Sequence, residues 1–215
     1  IYKCFGCGEG GGVIQFIIKV ENLEFVDSLK FLAEMYNLTI QWEGEFNNKK
    51  ADINTEIYNM HELAEELFIS SLKNSQKHMK YLIKERKLNS EIINKFKLGY
   101  SSNEWSKLLD ILREKSYSSD AMNQSGLILS GNKGYFDRFR NRIMFPLINE
   151  RGKTCGFAGR ALDSNDPAKY MNSPESPIYY KSSFLYGLNQ SKEFIQKEDK
   201  VLLVEGYLDF LQLFQ

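Results

Sequence analysis

Glu205 and Asp209 have the most direct route to chemistry in this sequence; they lie in Val201-Leu-Leu-Val-Glu205-Gly206-Tyr-Leu-Asp209. Two carboxylates one helical turn apart offer hard oxygen ligands, and a Mg²⁺ held by them keeps waters and phosphate oxygens as its remaining ligands. Val201 to Val204, apolar without alternation, reads as a short strand buried on both faces. Gly206 reads as the turn and Tyr207 to Phe214 as a helix. In an open α/β sheet, ligands gather at the carboxyl ends of strands, which is where Glu205 falls. The plainer reading, in which Glu205 ends a core strand and Asp209 faces water, is equally compatible with so short a motif.

A second pair opens the chain: Cys4-Phe-Gly6-Cys7-Gly8 spaces two thiols as Cys-x₂-Cys, with glycines that let backbone amides turn toward the thiolates. A structural zinc takes four ligands, and no second pair stands nearby. Cys155 falls in a strand-like segment, a core residue rather than a ligand, and His61 and His78 fall in helical ones without a partner at metal spacing. Half a zinc site is favoured over a redox dithiol, because no βαβ pattern follows.

The third constellation is basic. Asp137-Arg138-Phe-Arg140-Asn-Arg142 sets three arginines at alternate positions, on one face if the chain is extended there. Ile143 to Ile148 continues as an apolar strand, Glu150 to Lys153 turns, and Thr154 to Arg160 returns. Guanidinium groups fork two hydrogen bonds onto phosphate oxygens. Lys169, Tyr170, Asn172 and Lys181 add two cations, an amide and a ring that can stack on a base. Taken singly, each of these residues also fits an ordinary surface salt bridge or surface ring.

These residues need a scaffold, and 215 residues of ordinary apolar and charged content suffice for a core. No apolar run approaches the roughly 18 residues of a membrane span. Three cysteines without a leader lead us to expect a reducing compartment. The net charge is zero but polarised: residues 1–72 hold five basic against twelve acidic residues, and residues 73–200 hold 23 against 14. An acidic front and a basic middle are compatible with phosphate binding in the middle. Periodicity predicts an amphipathic helix with Phe25, Val26, Leu29, Leu32, Ala33 and Tyr36 on one face, then a polar linker over 43–55. A long helix follows, capped by Asn54 or Thr55, with Ile57, Met60, Leu63, Ala64, Leu67, Phe68 and Leu72 inward. Further helices are expected over 79–86, over 90–96 with Asn89 as N-cap and Gly99 as the stop, and over 104–115.

Together these segments resemble the bacterial replicative primases, the DnaG-type family. Tyr2-Lys-Cys-Phe-Gly-Cys-Gly8 is similar to the second half of that family's zinc ribbon. Asp137 to Pro146 and Gly156-Phe-Ala-Gly-Arg160 resemble the basic strands of its polymerase core. Lys169-Tyr-Met-Asn-Ser-Pro174 and Leu185-Tyr-Gly-Leu188 resemble the next block, and Val204-Glu-Gly-Tyr-Leu-Asp209 the first motif of its Toprim fold. Ala158 and Leu208 depart from the usual glycine and methionine.

The resemblance implies an α+β chain. Residues 1–42 would be the C-terminal part of a zinc-ribbon module with its following helix, and 43–55 a linker. Residues 56–198 would be the core's N-terminal subdomain of helices and basic antiparallel strands, and 199–215 the first strand and helix of a Toprim subdomain. It implies a nucleotidyltransferase that copies single-stranded DNA into short RNA primers from ribonucleoside triphosphates. Glu205 and Asp209 would be the catalytic acids and ligands of Mg²⁺ or Mn²⁺, their companion acids lying downstream. Cys4 and Cys7 would be zinc ligands, their mates lying upstream. Arg138, Arg140, Arg142, Arg160, Lys169, Tyr170, Asn172 and Lys181 would bind nucleotide and template. Its partners would be single-stranded DNA and, through a C-terminal domain absent from these residues, the replicative helicase. The protein would be a monomer in the bacterial cytoplasm at replication forks, with no membrane partner. Lacking half the zinc ligands, residues 1–20 would not be expected to keep the ribbon shape, and the fragment itself would not make primers. The alternatives are a non-catalytic single-strand-binding fragment and another Toprim enzyme such as a topoisomerase, which would need a nucleophilic tyrosine that the sequence does not single out.

Overall fold

The structure is a computed structural model that describes residues 1–21, 23, 25–40, 48–132 and 134–215, for 48–52 the backbone alone. It divides into two units, Ile1–Asn48 and Lys49–Gln215.

In the first unit, β1 (Tyr2–Lys3) pairs antiparallel with β2 (Gly10–Gly11), Tyr2 opposite Gly11 and Lys3 opposite Gly10. The turn between them is closed by two backbone bonds, Cys4 N–H to the Glu9 carbonyl at 2.7 Å and Gly8 N–H to the Cys4 carbonyl at 3.0 Å. Residues 1–11 therefore form a short two-stranded hairpin. Two helices follow, α1 (Val13–Val20) and α2 (Phe25–Met35). Of the face expected on α2, Ala33 is buried, whereas Phe25 and Tyr36 are exposed.

The second unit is built on an antiparallel sheet. Its elements are α3 (Asn48–Lys73), α4 (Gln76–Lys80) running into a π-helical turn (Tyr81–Glu85), α5 (Ser90–Lys95), β3 (Gly99–Ser101), α6 (Lys107–Glu114) and α7 (Ser119–Gln124). Then come β4 (Ile128–Gly131), β5 (Gly134–Asp137), β6 (Arg142–Ile148), β7 (Thr154–Ala161), β8 (Tyr170–Asn172), a 3₁₀ turn (Lys181–Ser183), α8 (Leu188–Glu198) and α9 (Tyr207–Phe214). The main sheet has the order β3-β6-β7-β8, and β4-β5 is a separate hairpin. The expected strand pair is the centre of this sheet, with Arg142 opposite Ala161 and Ile143 opposite Arg160.

Every residue of β6 and β7 is buried, because helices cover both faces. Side chains of a strand alternate between faces. Ile143, Phe145 and Leu147 enter one core with Leu82, Ile92, Phe96, Leu208 and Leu211 from α5, α9 and the π turn. Met144 enters the other with Met60, Phe68, Leu108, Leu112 and Phe157. Cys155 is a core residue as expected, and burial pushes its thiol up to about 12.

Several local expectations differ from the structure. The long helix starts at Asn48, before the cap expected at Asn54 or Thr55, so the second half of the expected linker is helical and 41–47 lies outside the described residues. Asn89 does cap α5, its Oδ1 accepting the Ile92 N–H at 2.8 Å. The helix stops before Gly99: Lys97 takes the left-handed conformation, and Gly99 begins β3. Among the described residues no helix is long and apolar enough to cross a membrane.

The largest difference concerns Val201 to Val204. The segment forms no strand, and Val201, Leu202 and Leu203 are exposed. An apolar run buries both faces only when strands flank it and helices cover it, and no strand among the described residues pairs with this one.

Candidate nucleotide and metal site

Glu205 is positioned by the turn into α9 rather than by a strand end. Gly206 is the N-cap of α9, and Asp209, in its first turn, folds back over it: a Cβ added at Gly206 would meet Asp209 Oδ2 at 2.5 Å. A carboxylate is favoured at a helix N-terminus by the exposed N–H groups and the helix dipole. The first turn also presents Tyr207, whose hydroxyl donates to Asn172 Oδ1 at 3.1 Å and ties α9 to the end of β8. Its ring stacks on Phe145 at 5.5 Å and meets the Tyr186 edge at 4.9 Å. Burial raises the Tyr207 pKa, partly offset by the bond to Asn172. The sequence motif gives Tyr207 no role of its own; its neighbours lie on other elements.

Asn172, Lys181, Glu205 and Tyr207 line one cavity of about 250 Å³ with Tyr186 and Val204. Lys181 reaches it from the 3₁₀ turn, where its backbone N–H donates to Glu175 Oε1 at 2.9 Å. Along β7 and β8, Arg160 lies opposite Tyr170 and its Nε donates to the Tyr170 hydroxyl at 3.1 Å. Tyr170 in turn packs 6.1 Å from Tyr207. Arg160, Tyr170, Tyr207 and Asn172 thus form one chain of contacts across β7, β8 and α9, and Asn172 and Tyr207 share the cavity with Glu205 and Lys181.

Arg160 is itself only 7% exposed. Its Nη1 donates to the Tyr81 hydroxyl, which also accepts from Arg86 Nε at 2.5 Å. Both guanidinium groups lie 5.3 Å from the Tyr81 ring centre, and neither has a carboxylate partner among the described residues. The sequence reading missed Tyr81 and Arg86; the available signal was a basic residue within a helix of otherwise ordinary amphipathic pattern.

The arginines at 138, 140 and 142 do not share a face. The chain turns between β5 and β6, with Asn141 at φ 51°, so the alternation of an extended strand does not apply. Arg138 Nη2 donates to the Asn172 carbonyl at 3.2 Å, and burial lowers its pKa. Arg140 lies 4.0 Å over the exposed Trp105 ring and bonds the Asp137 carbonyl at 2.5 Å. Arg142, expected to face phosphate, is turned inward and ion-paired with Asp166 at 2.7 Å. Lys169 is exposed beside Tyr170.

For a divalent cation the donor set suits hard-ion chemistry, with Glu205 and Asp209 both on the first turn of α9 or just before it. For zinc, Cys4 is exposed and its thiol pKa is lowered, first by the Cys7 backbone N–H and then by that of Gly6. That amide arrangement suits a metal-binding turn, and Cys4 and Cys7 could supply two of a tetrahedral set of ligands. Among the described residues no group of three or more His, Cys, Asp or Glu side chains converges.

Known proteins resemble this chain in sequence and in fold. The family described as DNA primase catalytic core, N-terminal domain, matches residues 67–192, and the one described as CHC2 zinc finger matches residues 1–48. A DNA primase of Clostridium acetobutylicum is 40% identical over 219 residues, covering 100% of this chain and 36% of the relative. The Aquifex aeolicus primase structure, zinc-binding and RNA polymerase domains, is 32% identical with a TM-score of 0.70, over 99% of this chain and 51% of that one. A DnaG primase catalytic domain bound to ssDNA is 30% identical with a TM-score of 0.68, over 76% of this chain and 51% of that one. The chain spans 36% of the length of the first two curated relatives it matches.

Proposed function

The chain belongs to the DNA primase catalytic-core family, and from that premise we propose that it is part of a nucleotidyltransferase that synthesises short RNA primers on single-stranded DNA. The observation that carries this reading is the chain of contacts from Arg160 and Tyr170 to Tyr207 and Asn172, which share a cavity with Glu205 and Lys181. It sets cations and a half-exposed aromatic ring beside a carboxylate at a helix start.

In the proposed reaction the attacking and leaving oxygens need alignment, and the triphosphate needs its charge neutralised. Lys169 and Lys181, both exposed, would meet the phosphates, and Arg160 holds the hydroxyl of Tyr170, the residue after Lys169. Tyr170 offers a ring face for base stacking. Glu205 and Asp209 would hold Mg²⁺ or Mn²⁺, which when bound supplies charge neutralisation and polarises phosphoryl oxygens. Their further acids would come from outside these residues, as would the two ligands that complete a zinc site on Cys4 and Cys7. Arg138 and Arg140 would lie at the margin of the nucleic-acid path. The relative bound to ssDNA supports single-stranded DNA as the template. Ribonucleoside triphosphates as substrates, a replicative helicase as partner through a domain beyond these residues, a monomeric state and a cytoplasmic place at replication forks complete the proposal.

The test is primer synthesis from ribonucleotides on single-stranded DNA by the full-length protein that carries these residues. Glu205→Gln should lower the yield by more than about a hundredfold, while single-stranded DNA binding stays within about twofold. Normal primer yield from that variant would remove Glu205 from catalysis.

A further inference from the structure

We propose that Asp166 and Arg142 are a positioning pair: they latch the loop between β7 and β8 and so hold Lys169 where it meets phosphate. The proposal rests on the reading above for what Lys169 binds. Arg142 is 4% exposed, so its charge is not offered to a ligand. Its guanidinium is spent on the loop, with Nη1 donating to the Ala168 carbonyl at 2.6 Å and Nη2 to Asp166 Oδ2 at 2.7 Å. A planar fork that takes two acceptors at once fixes both in one geometry. The second carboxylate oxygen, Asp166 Oδ1, accepts the Ala168 N–H at 2.9 Å. The two sides of residue 168 are therefore pinned by the same ion pair.

The fixed geometry passes directly to Lys169. Its carbonyl accepts the Ala161 N–H at 3.0 Å, and the next residue, Tyr170, enters the sheet opposite Arg160. The Lys169 side chain is exposed and has no ion-pair partner among the described residues. Gly159 makes room for the latch: a Cβ there would come within 2.9 Å of Arg142 Cδ and 3.0 Å of Phe139 Cδ1. Charge supports the same division of labour. Asp166 would repel a phosphate if unpaired. Paired with Arg142 it is locally neutral, which leaves Lys169 as the attracting charge of the loop.

The experiment titrates a fluorescein-labelled oligothymidylate with the 215-residue chain at several salt concentrations, and follows tryptic cleavage after Lys169. Lys169→Ala should reduce the slope of log affinity against log salt by about one. Asp166→Asn should weaken binding about three- to tenfold and reduce the slope in the same direction. In the Lys169→Ala background, Asp166→Asn should add nothing, a coupling that a purely structural loop contact would not produce. Cleavage after Lys169 should be faster in Asp166→Asn and in Arg142→Lys, which keeps the charge and loses the fork. Additive losses in the double variant, or cleavage at the wild-type rate in both variants, would overturn the latch. A wild-type chain that does not bind the oligonucleotide would overturn the reading above and this proposal with it, and the cleavage rates would still report separately whether the loop is latched.

Discussion

His61 lies on α3, fully buried, with its ring flat against Phe157 at 5.7 Å between centres. Its Nδ1–H donates to the Ile57 carbonyl at 2.8 Å, and Nε2 has no partner among the described residues. Burial therefore lowers its pKa to about 4, against the ordinary 6.5 of an unfolded chain. Between these values the unfolded chain binds the extra proton, so stability falls as pH drops from 6.5 toward 4 and is unaffected above that window. The contribution is at most about 1.4 kcal/mol per pH unit. Urea unfolding at pH 7 and pH 5 should show a smaller difference for His61→Phe than for wild type; an unchanged difference would contradict the assignment. His78 is shifted downward too, by burial and then by Lys77, so the comparison between variants is what isolates His61. The site residues carry the same lesson. Their types were legible, and for Arg160, Tyr170 and Asn172 so was their neighbourhood. The direction of Arg142 was not, because an arginine beside an apolar strand reads the same whether it faces phosphate or an aspartate 24 residues on.

At the scale of elements, the N-terminus of α8 packs against α9. Gly187 caps α8 at φ 78°, a left-handed conformation, and a Cβ there would lie 2.1 Å from the Phe210 ring. Phe210 belongs to α9 and meets Phe96 at 5.4 Å, so the clash would be passed to the core and to the helix that carries Tyr207 and Asp209. Gly187→Ala should destabilise by about 2–4 kcal/mol, seen as a lower denaturation midpoint; a midpoint equal to wild type would mean that α9 moves freely. Another junction is held from a distance. Asp137, at the end of β5, accepts the Leu108 and Leu109 N–H groups of α6 at 2.8 and 2.9 Å, serving as its cap in place of the adjacent Ser106. The β6–β7 hairpin was legible from its apolar runs and its Glu150 to Lys153 turn. The π turn at Tyr81 was not, since one residue more or less per turn leaves almost no trace in a short apolar pattern.

For the whole molecule, the chain divides into two units, and both large core clusters lie within residues 49–215. Fully burying a residue such as Phe157 is worth roughly 2–3 kcal/mol, and the second unit holds many such residues. Residues 49–215 expressed alone should unfold in one cooperative transition, with a Tm within about 3 °C of the corresponding transition of the whole chain. A broad, non-cooperative melt would place part of the core's support in residues 1–48. The exposed run Val201–Leu203 also belongs to this scale, because a sheet is a cooperative object and a lone strand has nothing to pair with.

The sequence by itself determined the strand pair at the centre of the core, the thiol pair and the residue types around Glu205, and its resemblance to the primases implied the α+β class. The strand pair and the site residues follow from local patterns: apolar runs, turn residues, and side-chain chemistry in chain order. Only the tertiary structure decided that Tyr207 ties α9 to β8, that Arg160 and Arg86 meet on Tyr81, that Arg142 serves a loop, and that Val201–Leu203 is exposed. Each of these depends on what stands opposite a residue across a gap of tens of positions, which the chain order does not encode until the elements pack.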